Sequence, residues 1–391
     1  MNDEKRRIYL DHAATTNLRP EVFSEIIKTF EEFGNPSSIY REGQRAKMLL
    51  ENSRRRIAAV LHAEPGEIYF TGSGTESDNW AIKGTALYHA GKGKHIITSS
   101  IEHPAVMNAC KSLEKQGFLI TYLPVDAYGL IASETLESAI QKDTILVSIM
   151  LANNEIGTIL PVQEFSEICE KRNILFHTDA VQAAGSIPVY ADELRVNMLS
   201  LSGHKLYAPK GIGVLYIRQG TGIENILDGG AQERGKRAGT ENLSYIAGLA
   251  AAFELSEAEM GEMTAQMIIW RDMMITKIEN KIPDCCLNGH RKKRLPGNIN
   301  FSFKGIQGES LLLLLDQAGF ACSSGSACSS GAIEPSHVLT AIGLTKEMAN
   351  AALRISLGKM NREEDIHEFI PVLTEKVKKL REMRSFYSEQ I

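Results

Sequence analysis

A chain of 391 residues, 43% hydrophobic and 23% charged, has an ordinary globular composition but is long for one core, so a large domain with a smaller companion is expected. The formal net charge of -5 leaves no basic excess to neutralise phosphates, and no apolar stretch is long enough to cross a bilayer, so neither nucleic acid nor membrane is an expected partner. Six cysteines without a regular framework, and no CxxC or paired His/Cys spacing, point to reduced thiols and to no bound metal.

The charged start, Met1 to Arg7, lacks the apolar core of a signal peptide, in keeping with a cytoplasmic protein. Val22, Ile26, Ile27 and Phe30 recur at helical spacing, as do Met48, Leu49, Ile57 and Val60. Seven strand-like runs follow, at residues 68–71, 95–99, 119–125, 145–151, 174–177, 198–201 and 213–217. Most are separated by segments long enough for a crossover helix. That pattern predicts an α/β fold with a mainly parallel seven-stranded sheet covered on both faces. Ligands of such sheets collect beyond the carboxyl ends of the strands. After Ala252 the texture changes to a Met- and Glu-rich helical stretch at 255–282 and a strand at 298–303. A Leu-rich helix, a Gly/Ser-rich loop, a strand at 354–357 and a charged terminal helix complete what reads as a smaller α+β domain. The expected organisation is a large domain over 16–256 and a small one built from 1–15 and 257–391. The run Arg291-Lys292-Lys293-Arg294 reads as a solvated loop.

Lys205 follows the apolar segment Leu199-Ser-Leu-Ser, in a His-Lys pair before Pro and Gly turns. A lysine at the end of a buried strand is costly without a task. Desolvation lowers its pKa and makes a Schiff base to an aldehyde feasible, while a lysine snorkelling out of a loop is the plain alternative. Asp179 ends the preceding apolar run, Ile174-Leu-Phe-His-Thr-Asp179, so both groups should face one crevice. A carboxylate there would keep a pyridine nitrogen protonated and let the ring act as an electron sink, unless it is a solvated loop acid. Phe70-Thr-Gly-Ser-Gly-Thr75 reads as strand, small-residue turn and helix start, a cradle for phosphate. His103, before the helix-opening Pro104, could stack on a ring and act as acid or base, or serve structure alone. Cys322 and Cys328 lie in a loop of small residues. A catalytic thiol must reach a buried cofactor and then an outside acceptor, and Cys328 fits that requirement. Cys322 fits a small buried hydrophobe equally well, and a structural free cysteine is the alternative for both. Arg354, inside an apolar strand, suits either a bidentate contact with a substrate carboxylate or a buried ion pair.

Further motifs join these: Tyr9-Leu-Asp-His-Ala-Ala-Thr-Thr16, Asn153-Asn-Glu-Ile-Gly157, Gln232-Glu-Arg-Gly235, Arg237-Ala-Gly-Thr240, Ser324-Gly-Ser-Ala-Cys328 and Glu334-Pro-Ser-His337. Together they resemble, nearly end to end, the cysteine desulfurases of the NifS/IscS type among the fold-type I, class V aminotransferase-like enzymes that use pyridoxal phosphate. The resemblance implies Lys205 as the lysine bound to the cofactor aldehyde and Asp179 as partner of the pyridine nitrogen. Gln182 would contact the phenolic oxygen and His103 would lie on the ring. Gly74, Thr75, Ser202 and His204 would bind the phosphate, and Thr240 would be donated to the neighbouring subunit in a homodimer. Asn35, Asn154 and Arg354 would hold the carboxylate of L-cysteine. Cys328 would take the substrate's sulfur as a persulfide, leave alanine, and pass the sulfur to a protein acceptor such as an iron–sulfur scaffold or a sulfur carrier. Gly72-Ser73 reverses the family's usual order, and Ala208 and Ala231 stand where glycine is common, with no reacting group removed. A selenocysteine lyase, an aminotransferase of the same fold, and a non-catalytic sulfur-handling protein are the rival readings. A dinucleotide-binding enzyme is disfavoured, because no GxGxxG follows the first strand.

Overall fold

Residues 6–324 and 335–388 are described by the computed structural model. Successive residues of a strand point to opposite faces, and here each face is a core. Ile97, Val147, Leu199 and Val214 enter a core shared with the helices Pro20–Thr29, Arg41–Val60 and Leu243–Lys281. Their neighbours Ile96, Leu146, Met198 and Leu215 enter a second core with Trp80, Val106 and Leu113. Burial on both sides is why these segments read as near-continuous apolar runs.

The sheet order is Ile68–Thr71, Gly213–Ile217, Met198–Ser202, Leu175–Asp179, Thr144–Ser148, His95–Ser99 and Leu119–Leu123. Gly213–Ile217 runs antiparallel to both neighbours and the other pairings are parallel, as the mainly parallel prediction requires. Strand ends depart from the periodicity reading. The runs expected at 119–125 and 145–151 leave the ladder at Leu123 and Ser148, although Ile149 N and Leu151 N still donate to His177 O and Asp179 O. The runs at 174–177 and 198–201 instead continue to Asp179 and Ser202, because backbone pairing is indifferent to side-chain polarity.

Asn298–Phe303 is the centre of a three-stranded antiparallel sheet, flanked by Cys285–Leu287 and Ala352–Ser356. The latter strand begins two residues before the expected 354. Ile8–Tyr9 pairs in parallel with Phe320–Ala321, and Ile8 and Leu10 join Met274, Phe301, Leu353 and Phe369 in a third core. The helix expected at 255–282 is Leu243–Lys281, 39 residues long, and it crosses the expected boundary at 256. Its first turns carry no amphipathic signature because residues 246–253 are buried all round. Among the described residues no helix is long and apolar enough to cross a membrane.

One ion pair anchors the segment that leads to Thr240. Arg54 and Glu233 are 1% and 2% exposed, meet through two contacts of 2.8 Å, and Glu233 also accepts from Phe70 N at 2.9 Å. Glu233 and Arg234 hold left-handed backbone, with φ of 46° and 57°, which side-chain-bearing residues avoid. Replacing Glu233 with Ala strands a buried guanidinium, so stability should fall by about 3–5 kcal/mol. The midpoint of urea unfolding measures this, and an unchanged midpoint would show the pair to be dispensable.

Candidate active site

Thr71 and Ser202 both pair with Gly213, so the segments leaving those two strands rise side by side. Only glycine allows this approach at 213, where a Cβ would lie 2.7 Å from the Ser73 carbonyl carbon and 2.8 Å from Leu201 O. The first segment enters the helix Gly74–Asn79, which runs on through Trp80–Gly84 and Thr85–His89. Ser73 Oγ accepts from Glu76 N at 3.2 Å while Glu76 Oε2 accepts from Gly72 N at 2.7 Å, a reciprocal cap that the reversed Gly72-Ser73 order leaves intact. Gly74 and Thr75 therefore open a helix whose first N–H groups have no partner within it.

A cavity of about 420 Å³ lies beyond the carboxyl ends of the strands. Gly74, Thr75, Ser202 and His204 line it together with Asp179, Gln182, His103, Lys205, Asn154 and Arg354. Asp179 ends its strand fully buried, and its Oδ1 accepts from Val181 N at 2.9 Å. Burial raises its carboxyl above the usual range, against the opposing pull of His103, the Val181 N–H and Lys205. His103 caps the helix Pro104–Glu114, its Nδ1 accepting from Ala105 N at 3.2 Å, so the neutral ring carries its proton on Nε2. Burial lowers the pKa of this imidazole.

Asp78, three residues beyond the cradle motif, was given no role by the sequence, and it lines the same cavity. One polar atom each of Asp78, His103 and Asp179 lies within 4.8 Å of the others. Burial, reinforced by Asp179, holds Asp78 well above the ordinary carboxylate range. Its spacing of one helical turn from Gly74 is the signal that could have found it. Glu102, just before His103, was also missed. It is 1% exposed, and one oxygen accepts from Ser99 Oγ at 2.5 Å and Met150 N at 3.0 Å.

The N-terminal motif proves to be part of the site. Lys205 Nζ donates to Ala13 O and, at 2.8 Å, to Ala14 O, while Gln182 Nε2 donates to Ala13 O at 2.9 Å. Thr16 Oγ1 donates to His204 O at 2.9 Å and accepts from Tyr207 N at 2.8 Å. Arg354 makes the buried ion pair, with Asp11 Oδ1 at 2.9 Å, donates to Asn154 O at 3.0 Å and also lines the cavity. Asn35 and Thr240 are exposed and stand apart from this cavity, Asn35 Oδ1 accepting from Ser37 N at 2.9 Å. Cys328 lies outside the described residues. Cys322 is half-buried against the third core, and desolvation pushes its thiol up.

Comparison with known proteins identifies the family. The family described as Aminotransferase class-V matches residues 8–369. "Cysteine desulfurase IscS" of Methanosarcina thermophila is 52% identical over 384 residues, covering 98% of this chain and 95% of that protein. The solved structure "NIFS-LIKE PROTEIN" superposes with a TM-score of 0.90 at 38% identity, covering 96% of this chain and 100% of that one. "SspA in complex with cysteine" gives 0.79 at 37% identity, covering 90% and 98%.

The buried Glu102 has a consequence for stability. Burial lifts its pKa from 4.5 to about 8, so the folded protein binds a proton that the unfolded chain releases. Stability from this group is complete at acid pH and is lost as pH rises toward about 8. Thermal unfolding from about pH 5 to about pH 8 should show a steeper decline in the wild type than in Glu102→Gln. Parallel curves would mean that Glu102 is ionised throughout.

Proposed function

The chain belongs to the aminotransferase class-V family and is a cysteine desulfurase, and on that premise we propose how its residues divide the reaction. The observation that carries the reading is the convergence of Asp179, Lys205 and the Gly74–Thr75 cradle on one cavity. Pyridoxal phosphate fits these residues. An ionised Asp179 at this depth needs a cationic partner, which a protonated pyridine nitrogen is. A phosphate suits the helix-opening N–H groups and the Ser202 and His204 side chains beside them. Lys205 would hold the aldehyde carbon, Gln182 the phenolic oxygen and His103 the ring face. When bound, the cofactor supplies an electron sink for charge left on the substrate carbon.

The remaining chemistry belongs to the chain. Arg354 and Asn154 hold the carboxylate of L-cysteine; the SspA structure is likewise described as a complex with cysteine. Lys205 Nζ, aimed by the Ala13 and Ala14 carbonyls, and His103 are the groups that move a proton at the substrate's Cα. The Cys328 thiolate bonds to the substrate sulfur as the carbon–sulfur bond breaks. The carbon keeps the electron pair and gains a proton to become the methyl group of alanine. L-cysteine and the thiol thus yield L-alanine and a persulfide, with no outside oxidant. The persulfide sulfur then passes to a protein acceptor for iron–sulfur cluster assembly, thio-cofactor synthesis or tRNA thiolation.

The active form is a homodimer in this reading. Phe23, Ile27, Phe30, Phe33, Ile39 and Tyr40 are all exposed, Phe33 and Ile39 by 85% and 89%, and they surround Asn35 in the chain. Such a patch on a lone subunit marks an interface. Thr240, exposed and anchored through Glu233, would complete the phosphate site of the neighbour. The setting is the cytoplasm, where thiols stay reduced.

Two measurements test the assignment. Purified enzyme given L-cysteine and a reductant should release equal amounts of alanine and sulfide, and Cys328→Ser should release neither; a mutant that matches the wild type removes Cys328 from the reaction. At Gly74 a Cβ would lie 2.7 Å from Val181 Cγ2 and 3.3 Å from Ser202 Cβ. Gly74→Ala should therefore weaken cofactor retention by about tenfold, read from visible absorbance after dialysis. Full retention would move the phosphate elsewhere.

A further inference from the structure

The described residues on both sides of the Cys328 segment are fastened to a cavity-lining residue or to the chain neighbours of such residues. Before it, Ser323 exchanges backbone hydrogen bonds with Arg354, at 2.6 and 3.2 Å. After it, Ser336 Oγ donates to Glu155 Oε2 at 2.5 Å, with both residues at least nine-tenths buried. The next residue, His337, places Nε2 2.9 Å from Glu102 O. Glu155 adjoins Asn154, and Glu102 adjoins His103. These are not loose walls: Asn153 Oδ1 accepts from Glu155 N and Ile156 N at 2.9 Å each, and the Glu102 carboxyl is held by Ser99 and Met150.

We propose that Ser336 and His337 are positioning residues for sulfur transfer, holding the chain that returns from Cys328 against the neighbours of the substrate-binding Asn154 and the ring-facing His103. The proposal rests on the reading of Cys328 as the sulfur acceptor. In the sequence, Cys328 stands five residues after Ser323 and eight before Ser336, so both fastened residues are its near neighbours along the chain. Fixing both ends of a short chain limits the volume its middle explores, and so raises the effective concentration of a thiol at a substrate held nearby. Removing the Ser336 hydroxyl frees one tether and leaves the Glu155 carboxyl buried without that donor. A helix cap alone does not account for the arrangement. Ser336 Oγ accepts from Leu339 N at 3.3 Å as an ordinary N-cap, and donates to Glu155 besides.

The test is a single turnover by holoenzyme of Ser336→Ala, Ser336→Thr and His337→Ala. The absorbance change on adding L-cysteine reports binding, and mass spectrometry of quenched samples reports persulfide on Cys328. Ser336→Ala and His337→Ala should each slow persulfide formation by about tenfold, with unchanged half-saturation for L-cysteine, and Ser336→Thr should recover most of the rate. Wild-type rates in both variants would overturn the proposal. So would a half-saturation that weakens in step with the rate, which would assign the contacts to substrate binding. His337 is exposed, so its variant keeps the test open if Ser336→Ala fails to fold. Cys328→Ser runs alongside: persulfide formed on another residue in that variant would overturn the underlying reading itself.

Discussion

A carboxyl group buried without a cation is expensive, and the architecture is arranged around that cost at Asp179. The side chain sits at the end of a strand enclosed on both faces, where water cannot screen it. Its neighbours are an imidazole made less basic by burial and a lysine whose ammonium is held by main-chain carbonyls of residues 13 and 14. Asp78 adds a second acid to the same depth, and together the two cannot both ionise cheaply. Burial pushes both carboxyls up, so a negative charge at this depth is costly unless a cation meets it.

Everything that meets that charge arrives from a different core. The sheet delivers Asp179, Ser202 and the cradle. The third core delivers Arg354 from Ala352–Ser356, and the N-terminal strand leads into Asp11, Ala13 and Ala14. The Asp11–Arg354 pair is where these two deliveries meet, so the Arg354 guanidinium and the carbonyls that hold Lys205 share one support.

Much of this was legible in the sequence because the cost of burial is local. A lysine and an aspartate at the ends of apolar runs announce themselves, and strands covered on both faces leave long apolar runs. The N-terminal motif could be quoted but not interpreted, since Ala13 and Ala14 act through main-chain carbonyls that leave no side-chain signature. Glu102 hid for another reason: its partners Ser99 and Met150 come together only when two neighbouring strands pair. The start of Leu243–Lys281 escaped because a helix buried all round has no stripe to detect. For Arg354 the ion-pair alternative is the one the fold supplies, through Asp11.

The same long helix has a consequence for how the molecule comes apart. Its first half, including Ile246 and Leu249, packs in the core beneath the sheet, and its second half, including Met274 and Ile278, packs in the third core. Helical hydrogen bonding is cooperative, so melting either core strips the support from a rod that the other still needs. The two regions are thereby spliced into a single folding unit, and the active site between them persists or dissolves as a whole.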